Sequence, residues 1–124
     1  MFEKKIRIGN LFAFYGQLLT EKQQGILKYY YIHDLSLGEI SENLKISRQA
    51  VYDALKRSEM VLVDYEKKLG LLSKFLSTRE SVSDLIDSIN QLIIEVNENY
   101  EKKHILEEID KIKEQAIQIL DESS

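Results

Sequence analysis

The sequence predicts an all-α protein, with a helix-turn-helix module over residues 1–77 and a C-terminal helical hairpin or coiled-coil extension over residues 78–124. It contains no proline and only five glycines in 124 residues, so almost nothing interrupts long helices. Apolar residues recur every three or four positions along most of the chain, which is the period of an amphipathic helix. A threonine and two serines precede three of these apolar runs, as N-cap residues do.

The first two helices are predicted before residue 34. The first extends from about residue 4 to residue 19, and its apolar residues recur every three or four positions, at Ile8, Leu11, Phe12, Tyr15 and Leu18. The Thr20 hydroxyl can then cap a second helix, with Gln23 as the reciprocal partner in a capping box. The buried stripe of the second helix consists of Ile26, Leu27, Tyr30 and Tyr31. His33 follows at its end, where a histidine interacts favourably with the helix dipole.

A third helix is predicted between a second capping box and a very short turn. Ser36 and Glu39 form the box, and the helix ends at Leu44. Lys45 and Ile46 are too few residues for anything but a tight turn. Many helix-turn-helix motifs have glycine here, because a non-glycine residue with positive φ is strained by roughly 1 kcal/mol. We therefore expect a distorted turn at Lys45.

A fourth helix is predicted to begin after Ser47, whose hydroxyl can cap it. Its buried stripe contains Val51, Ala54, Leu55, Val61 and Leu62. The apolar pattern continues to about Leu69, and Gly70 can adopt the left-handed conformation that is common at the C-terminus of a helix. The pattern then resumes through Leu76.

Beyond Ser81 the apolar residues form two narrow stripes with alternating spacings of four and three, which is typical of a coiled-coil seam. The first contains Val82, Ile86, Ile89, Ile93 and Val96, and the second contains Ile105, Ile109, Ile112, Ala116 and Ile119. The registers do not connect, and two asparagines, poor helix formers, lie in the gap. This favours two antiparallel helices, and one continuous helix with a stutter is the alternative.

These stripes favour a homodimer, because they exceed what one small module can easily cover. The predicted dimer interface consists of Val82, Ile86, Ile89, Ile93, Ile105, Ile109, Ile112 and Ile119. In the alternative, the extension packs against Phe12, Tyr15 and Tyr30 of its own N-terminal helices.

The segment of residues 37–57 has the periodicity of a helix-turn-helix. Ile40 and Leu44 lie one turn apart on the first helix, and Val51 and Leu55 lie one turn apart on the second. Ile46 is predicted to plug the turn between them. The two helices can therefore close around one small core.

The outer face of the second of these helices carries the residue types that contact bases and phosphates in a major groove. The candidate nucleic-acid-binding residues are Arg48, Gln49, Tyr52, Lys56 and Arg57. Asp53 and Glu59 reduce the net charge of this helix to +1, which argues against tight promoter binding by the module alone. Of Tyr29, Tyr30 and Tyr31, at most two can face one way, so core packing is favoured over base stacking.

The stretch from Leu37 to Val51 is similar to the region-four signature of bacterial sigma factors. With Leu19 to Gln23 and Tyr29 to Tyr31 before it, and the segment up to Arg57 after it, residues 8 to about 77 resemble the YlxM family. That family is associated with genes of the signal recognition particle. The resemblance implies an accessory role in this protein-targeting pathway, in contact with the particle's RNA or its GTPase.

Charge is unevenly distributed. Residues 1–70 contain 11 Lys and Arg against 9 Asp and Glu, a net charge of +2, whereas residues 71–124 contain 6 against 12, a net charge of −6. A surface that binds a polyanion is therefore expected in the first half, because the second half repels phosphates.

The residue inventory argues against an enzyme. There is no cysteine for disulfides, thiol catalysis or a structural zinc site, and no motif pairs a nucleophile with a base. Glu101 and His104 have the spacing of half a di-iron site, but the other half is missing. We expect no catalytic residue, cofactor or metal. With no apolar run of about 20 residues and no secretory signal, we expect a cytoplasmic protein that does not bind membranes.

Three hypotheses for function remain open at this point. The first is the accessory role in the signal recognition particle pathway, and the second is a transcriptional regulator that binds duplex DNA through Arg48 to Arg57. The third is a protein-interaction scaffold. The partner, the nucleic-acid sequence and the direction of regulation do not follow from the sequence.

Overall fold

The computed structural model describes residues 2–98 and 100–123, and within these ranges the chain is all-α, as predicted. The described part contains no strand. The helices are α1 (Phe2–Tyr15), α2 (Glu21–Leu27), α3 (Leu37–Leu44), α4 (Arg48–Leu69), α5 (Leu71–Asn97) and α6 (Lys102–Ser123). Their contacts divide the chain into two units, residues 1–73 and 74–124. The functional division at residue 77 stays a prediction.

The three predicted N-caps are confirmed. The Thr20 hydroxyl accepts a hydrogen bond from Gln23 N at 3.2 Å, and the Gln23 side chain accepts one from Thr20 N at 3.0 Å. Ser36 and Glu39 form the same reciprocal pair at 3.1 and 3.2 Å. Ser47 accepts from the backbone N–H at position 50 at 3.0 Å. Helices α2, α3 and α4 therefore begin where their sequences indicate.

The first helix ends earlier than predicted, at Tyr15, and continues as a 3₁₀ turn over Gly16–Leu18. Gly16 is buried beneath the Phe12 ring, and a β-carbon on it would lie 3.1 Å from that ring. The tight packing of Phe12 over this glycine is the physical reason for the change of winding.

Helix α2 continues as a π-helical segment over Lys28–Ile32, which the sequence pattern does not predict. The segment holds Tyr29, Tyr30 and Tyr31, all of which pack partly buried against the core. The prediction that these tyrosines pack against the core is thus confirmed. His33 is the C-cap residue, as predicted, and its N–H donates to the Lys28 carbonyl at 2.9 Å.

The core of the first unit lies between α1, α2, α3 and α4. Its fully buried side chains include Leu11, Tyr15, Leu27, Ile40, Val51 and Leu62. Gly70 has a φ of 62° and ends α4, as predicted. Its left-handed conformation allows the chain to reverse into α5 within one residue.

Helix α5 is continuous from Leu71 to Asn97. The apolar pattern of the sequence had instead predicted that the helix changes after Leu76. No glycine or proline follows residue 70, so nothing in the backbone stops the helix there. The turn predicted between Val96 and Ile105 is present, and the alternative of one uninterrupted helix is wrong. Asn99 of that turn lies outside the described residues.

Helices α5 and α6 form an antiparallel hairpin. Next to the turn, His104 Nε2 lies 3.1 Å from Glu95 Oε2. At the other end, Ser81 and Asp84 of α5 line a shallow pocket together with Gln118 and other residues near the end of α6. The beginning of α5 therefore lies beside the end of α6.

Candidate nucleic-acid interface

Helices α3 and α4 form the predicted helix-turn-helix. Lys45 adopts the left-handed conformation, with a φ of 57°, and its N–H donates to the Ser41 carbonyl. Ile40 and Val51 are fully buried between the helices. Ile46 was expected to plug the turn, but its side chain is 41% exposed and lines a groove beside α2 instead. The strained lysine conformation turns Ile46 away from the small core.

The predicted nucleic-acid-binding residues occupy the first three turns of α4, and we call them the recognition face: Arg48, Gln49, Tyr52, Lys56 and Arg57. All are exposed except Lys56, which is half-buried. Gln49 Nε2 donates to Asp53 Oδ1 at 2.9 Å. The Lys56 ammonium lies 5.4 Å from the centre of the Tyr52 ring. Whether these side chains contact nucleic acid stays a prediction.

Arg48 lies across the beginning of α3. Its guanidinium packs over Gly38, where an added β-carbon would be 3.0 Å from Nη2. Within residues 2–98 and 100–123, neither Arg48 nor Arg57 forms an ion pair. Both guanidinium groups thus keep their hydrogen-bond donors for an external anion.

Glu59 does not contribute to the recognition face, although its position on α4 suggested that it would. It is buried, with Lys4 Nζ at 3.1 Å and Lys56 Nζ at 3.7 Å from its carboxylate. The Tyr31 hydroxyl donates to Glu59 Oε1 at 2.5 Å. The charges of the face are therefore the exposed Arg48 and Arg57 and the half-buried Lys56, against the single carboxylate of Asp53.

These contacts change the protonation equilibria beside the recognition face. The Lys4 ammonium beside it lowers the pKa of Lys56, and burial acts in the same direction. Burial, followed by the hydrogen bond to Glu59, raises the pKa of Tyr31. Tyr31 therefore remains a hydrogen-bond donor to the carboxylate at neutral pH.

The second candidate surface is one side of the α5–α6 hairpin. The half-buried positions between the two helices are Thr78, Ser81, Leu85, Ser88, Leu92 and Glu95 on α5, and Ile105, Glu108, Ile112, Ala116 and Ile119 on α6. Successive residues of a helix are rotated by about 100°. Because the helices are antiparallel, the residue that comes directly after each inner position in the sequence lies on the same side of the hairpin in both helices.

That side is largely apolar, with charged residues only at Arg79 and Lys113, and we call its apolar surface the hairpin face. It consists of Val82, Ile86, Ile89, Ile93 and Val96 on α5, and Leu106, Ile109, Ile117 and Leu120 on α6. These side chains are between 39% and 69% exposed. The opposite side carries mostly polar residues, among them Asp84, Asp87, Gln115 and Gln118. The hairpin is therefore amphipathic.

The predicted interface residues separate into two groups in this arrangement. Five of them lie on the exposed hairpin face: Val82, Ile86, Ile89, Ile93 and Ile109. Ile105, Ile112 and Ile119 lie half-buried between the two helices. Leu85 and Leu92, which are not part of the predicted stripe, also lie half-buried between the two helices. Ser81 and Ser88 are seven residues apart, as Leu85 and Leu92 are. This heptad spacing is the signal in the sequence that could have predicted these inner positions.

In the part of the chain that is described, no group of three or more His, Asp and Glu side chains could hold a metal ion. His104, half of the predicted Glu-x-x-His pair, contacts Glu95 across the turn. No described helix is long and apolar enough to cross a lipid bilayer.

Comparison with known proteins gives one consistent result. The model of the family UPF0122, "helix-turn-helix protein, YlxM / p13 like", matches residues 2–105. UPF0122 proteins of Bacillus cereus (strain AH187), Bacillus anthracis (strain A0248) and Bacillus thuringiensis subsp. konkukian (strain 97-27) are each 46% identical over 112 residues. The match covers 90% of this chain and 99% of each relative.

Proposed function

Because the chain belongs to the UPF0122 family of YlxM/p13-like helix-turn-helix proteins, we propose that it is an accessory or regulatory protein that binds nucleic acid through the recognition face. The observation that carries the proposal is the exposure of Arg48 and Arg57 on the first three turns of α4, without ion-pair partners among the described residues. In helix-turn-helix proteins these turns enter the major groove.

The side chains of the recognition face can contact different groups of a nucleic acid. Arg48 and Arg57 supply planar donors that suit phosphates or the guanine edge, and Gln49 can pair with adenine. Gln49 must first exchange its hydrogen bond to Asp53, so its contribution is conditional on a better partner. Lys56 is the weakest candidate for a phosphate contact, because Glu59 and the Tyr52 ring already engage it.

The distribution of charge supports the location of this surface. Residues 1–70 have a net charge of +2 and residues 71–124 a net charge of −6. An acidic hairpin repels phosphates and leaves the module as the part of the chain that a polyanion can approach. Binding through phosphate contacts is expected to weaken as the salt concentration rises, in proportion to the number of contacts.

We also propose that the protein is a homodimer whose two hairpin faces pack against each other. The support is the amphipathic hairpin, which exposes nine apolar side chains on one side. Two such faces form a four-helix arrangement that removes these side chains from water. A two-fold dimer also brings two recognition faces into one assembly, as two-site targets require. A monomer is the alternative.

For the partner, the family resemblance favours the signal recognition particle, through its RNA or its GTPase, in the cytoplasm. A transcriptional regulator that binds duplex DNA is the second candidate, because the helix-turn-helix exposes base-contacting residue types. A protein-interaction scaffold is the third. In each case the protein acts by binding rather than as an enzyme.

Binding of the full chain to the particle's RNA, to its GTPase and to random duplex DNA, each over a salt series, tests these candidates. A steep salt dependence with one of the nucleic acids supports contact with phosphates. Binding to the GTPase alone, with weak salt dependence, would replace the nucleic-acid proposal with a protein partner.

A further inference from the structure

A cavity of about 470 Å³ opens beside the recognition face, where α1, the π-helical segment, α3 and α4 meet. This size lies within the range of small-molecule sites, about 300 to 1,000 Å³. It lies entirely within the first unit. Its lining is aromatic, cationic and aliphatic, with one carboxylate: Phe2, Lys4, Lys5, Tyr30, Tyr31, Leu37, Tyr52, Leu55, Lys56 and Glu59.

The carboxylate of Glu59 is incompletely satisfied. Oε1 accepts from the Tyr31 hydroxyl. Oε2 is buried, and its ion-pair partner Lys56 Nζ, at 3.7 Å, is too far away for a hydrogen bond, so Oε2 has none among the described residues. Glu59 is only 5% exposed, and an unsatisfied buried oxygen of a charged group is costly. Lys4 and Lys56 cover this carboxylate with long, partly exposed side chains that can move aside. A ligand with an N–H donor would supply the missing hydrogen bond.

The walls define what kind of ligand fits. Tyr52, Lys56 and Glu59 have the spacing i, i+4 and i+7, so they follow one side of α4 over about 10 Å. A mononucleotide can fill that length, and inorganic phosphate cannot. Tyrosine rings provide stacking surfaces for a planar base. Lys4 and Lys56 flank the Glu59 carboxylate, and the Lys5 ammonium contacts Asp34 Oδ1. The lining itself carries three ammonium groups against one carboxylate, which favours an anion.

We propose that this cavity binds a nucleotide, with its base against the Tyr52 side of the cavity, a base N–H donating to Glu59 Oε2, and its phosphate beside Lys4 and Lys5. The nucleotide is either a free mononucleotide or an unpaired residue of an RNA strand. A free mononucleotide requires no contact by Arg48 or Arg57. The cavity shares Tyr52 and Lys56 with the recognition face, but the inference does not rest on nucleic-acid contact by Arg48 and Arg57, so either proposal can fail alone.

Titration of the full chain with guanosine 5′-monophosphate, followed by two-dimensional NMR, tests the proposal. Saturable shifts at Tyr30, Tyr31 and Glu59 are expected, with guanosine and inorganic phosphate each binding more weakly. Tyr52→Ala should weaken binding about tenfold, as the loss of one stacking contact does. Tyr100→Ala, which removes an exposed tyrosine from the second unit, should leave it unchanged. Lys5→Ala, a second variant, changes a residue outside the core and should also weaken binding.

The source of the nucleotide follows from competition with a short single-stranded RNA. Displacement of the bound mononucleotide by the RNA would identify an unpaired RNA residue, and its absence would identify a free nucleotide as the ligand. Binding that does not saturate at millimolar concentrations, or that survives both Tyr52→Ala and Lys5→Ala, would overturn the proposal. Such a failure would leave the salt-dependent binding of nucleic acid by Arg48 and Arg57 unaffected.

Discussion

The Tyr15 hydroxyl donates a hydrogen bond to Glu66 Oε1 at 2.5 Å and accepts one from Leu71 N at 3.0 Å. The Glu66 carboxylate also accepts hydrogen bonds from Leu72 N at 3.0 Å and from Ser73 N at 2.9 Å. These are backbone donors of the first turn of α5, which the helix itself cannot satisfy. Tyr15 and Glu66 thus join α1, the end of α4 and the beginning of α5.

This arrangement predicts a specific dependence of stability on pH. Burial acts to raise the pKa of Glu66, but the hydrogen bonds from Tyr15 and from the α5 backbone outweigh it and hold the pKa below 4.5. The contribution of a carboxylate with a lowered pKa is present above its ordinary value and is lost as the pH falls through the folded-state pKa. Glu66→Gln should therefore lower the melting temperature at pH 7, and the deficit should shrink below about pH 4.5.

Thermal melts of the wild type and of Glu66→Gln at several pH values measure this difference. Glu122→Gln, a change at an exposed position of α6, is the matched control and should show no such pattern. A deficit that stays constant from pH 7 to pH 3 would mean that the ionised carboxylate does not stabilise the junction.

The helix-turn-helix core is expected to tolerate no charge. Ile40→Asp and Val51→Asp each place a carboxylate at a fully buried position, at a cost of several kcal/mol. Both variants should unfold the first unit, as measured by circular dichroism melts. Ile46→Asp changes a residue of the same motif that is largely exposed, and it should melt close to the wild type. Equal melting temperatures for all three variants would contradict the assignment of the core.

The local signals in the sequence were sufficient for the three N-caps and for the all-α class. Thr20, Ser36 and Ser47 hydrogen-bond to residues three positions away, so the pattern that predicts each cap lies within one turn. The left-handed Lys45 and Gly70 were also predictable, since each lies where one helix must stop before another begins.

The side-chain contacts at the candidate sites could not be predicted from local patterns, because the residues in contact lie far apart in the sequence. Glu59 meets Tyr31 across 28 positions and Glu66 meets Tyr15 across 51, so neither pairing has a signal in the sequence. The π-helical winding of Lys28–Ile32 is equally hidden, because a wider turn changes which residues pack without changing the apolar pattern.

The homodimer proposal predicts that charge on the hairpin face separates the two chains. Ile89→Glu and Ile93→Glu place carboxylates on the apolar side of α5, and together they should convert a dimer to a monomer. Gln91→Glu adds one carboxylate to the polar side, and it should remain dimeric. Sedimentation equilibrium of the full chain at tens of micromolar measures all three proteins. A wild-type protein that is monomeric at that concentration would rule out the dimer.

The central claim is that Arg48 and Arg57 of the recognition face contact nucleic-acid phosphates. The most direct measurement is the affinity for the particle's RNA and for duplex DNA between about 50 and 200 mM salt, for the wild type and two double variants. Arg48→Ala with Arg57→Ala should reduce the slope of log affinity against log salt by about two, one for each phosphate contact. Lys67→Ala with Lys68→Ala removes the same charge from the last turn of α4 and should leave the slope unchanged. An unaltered slope in the arginine variant, or an equal reduction in both variants, would contradict the account.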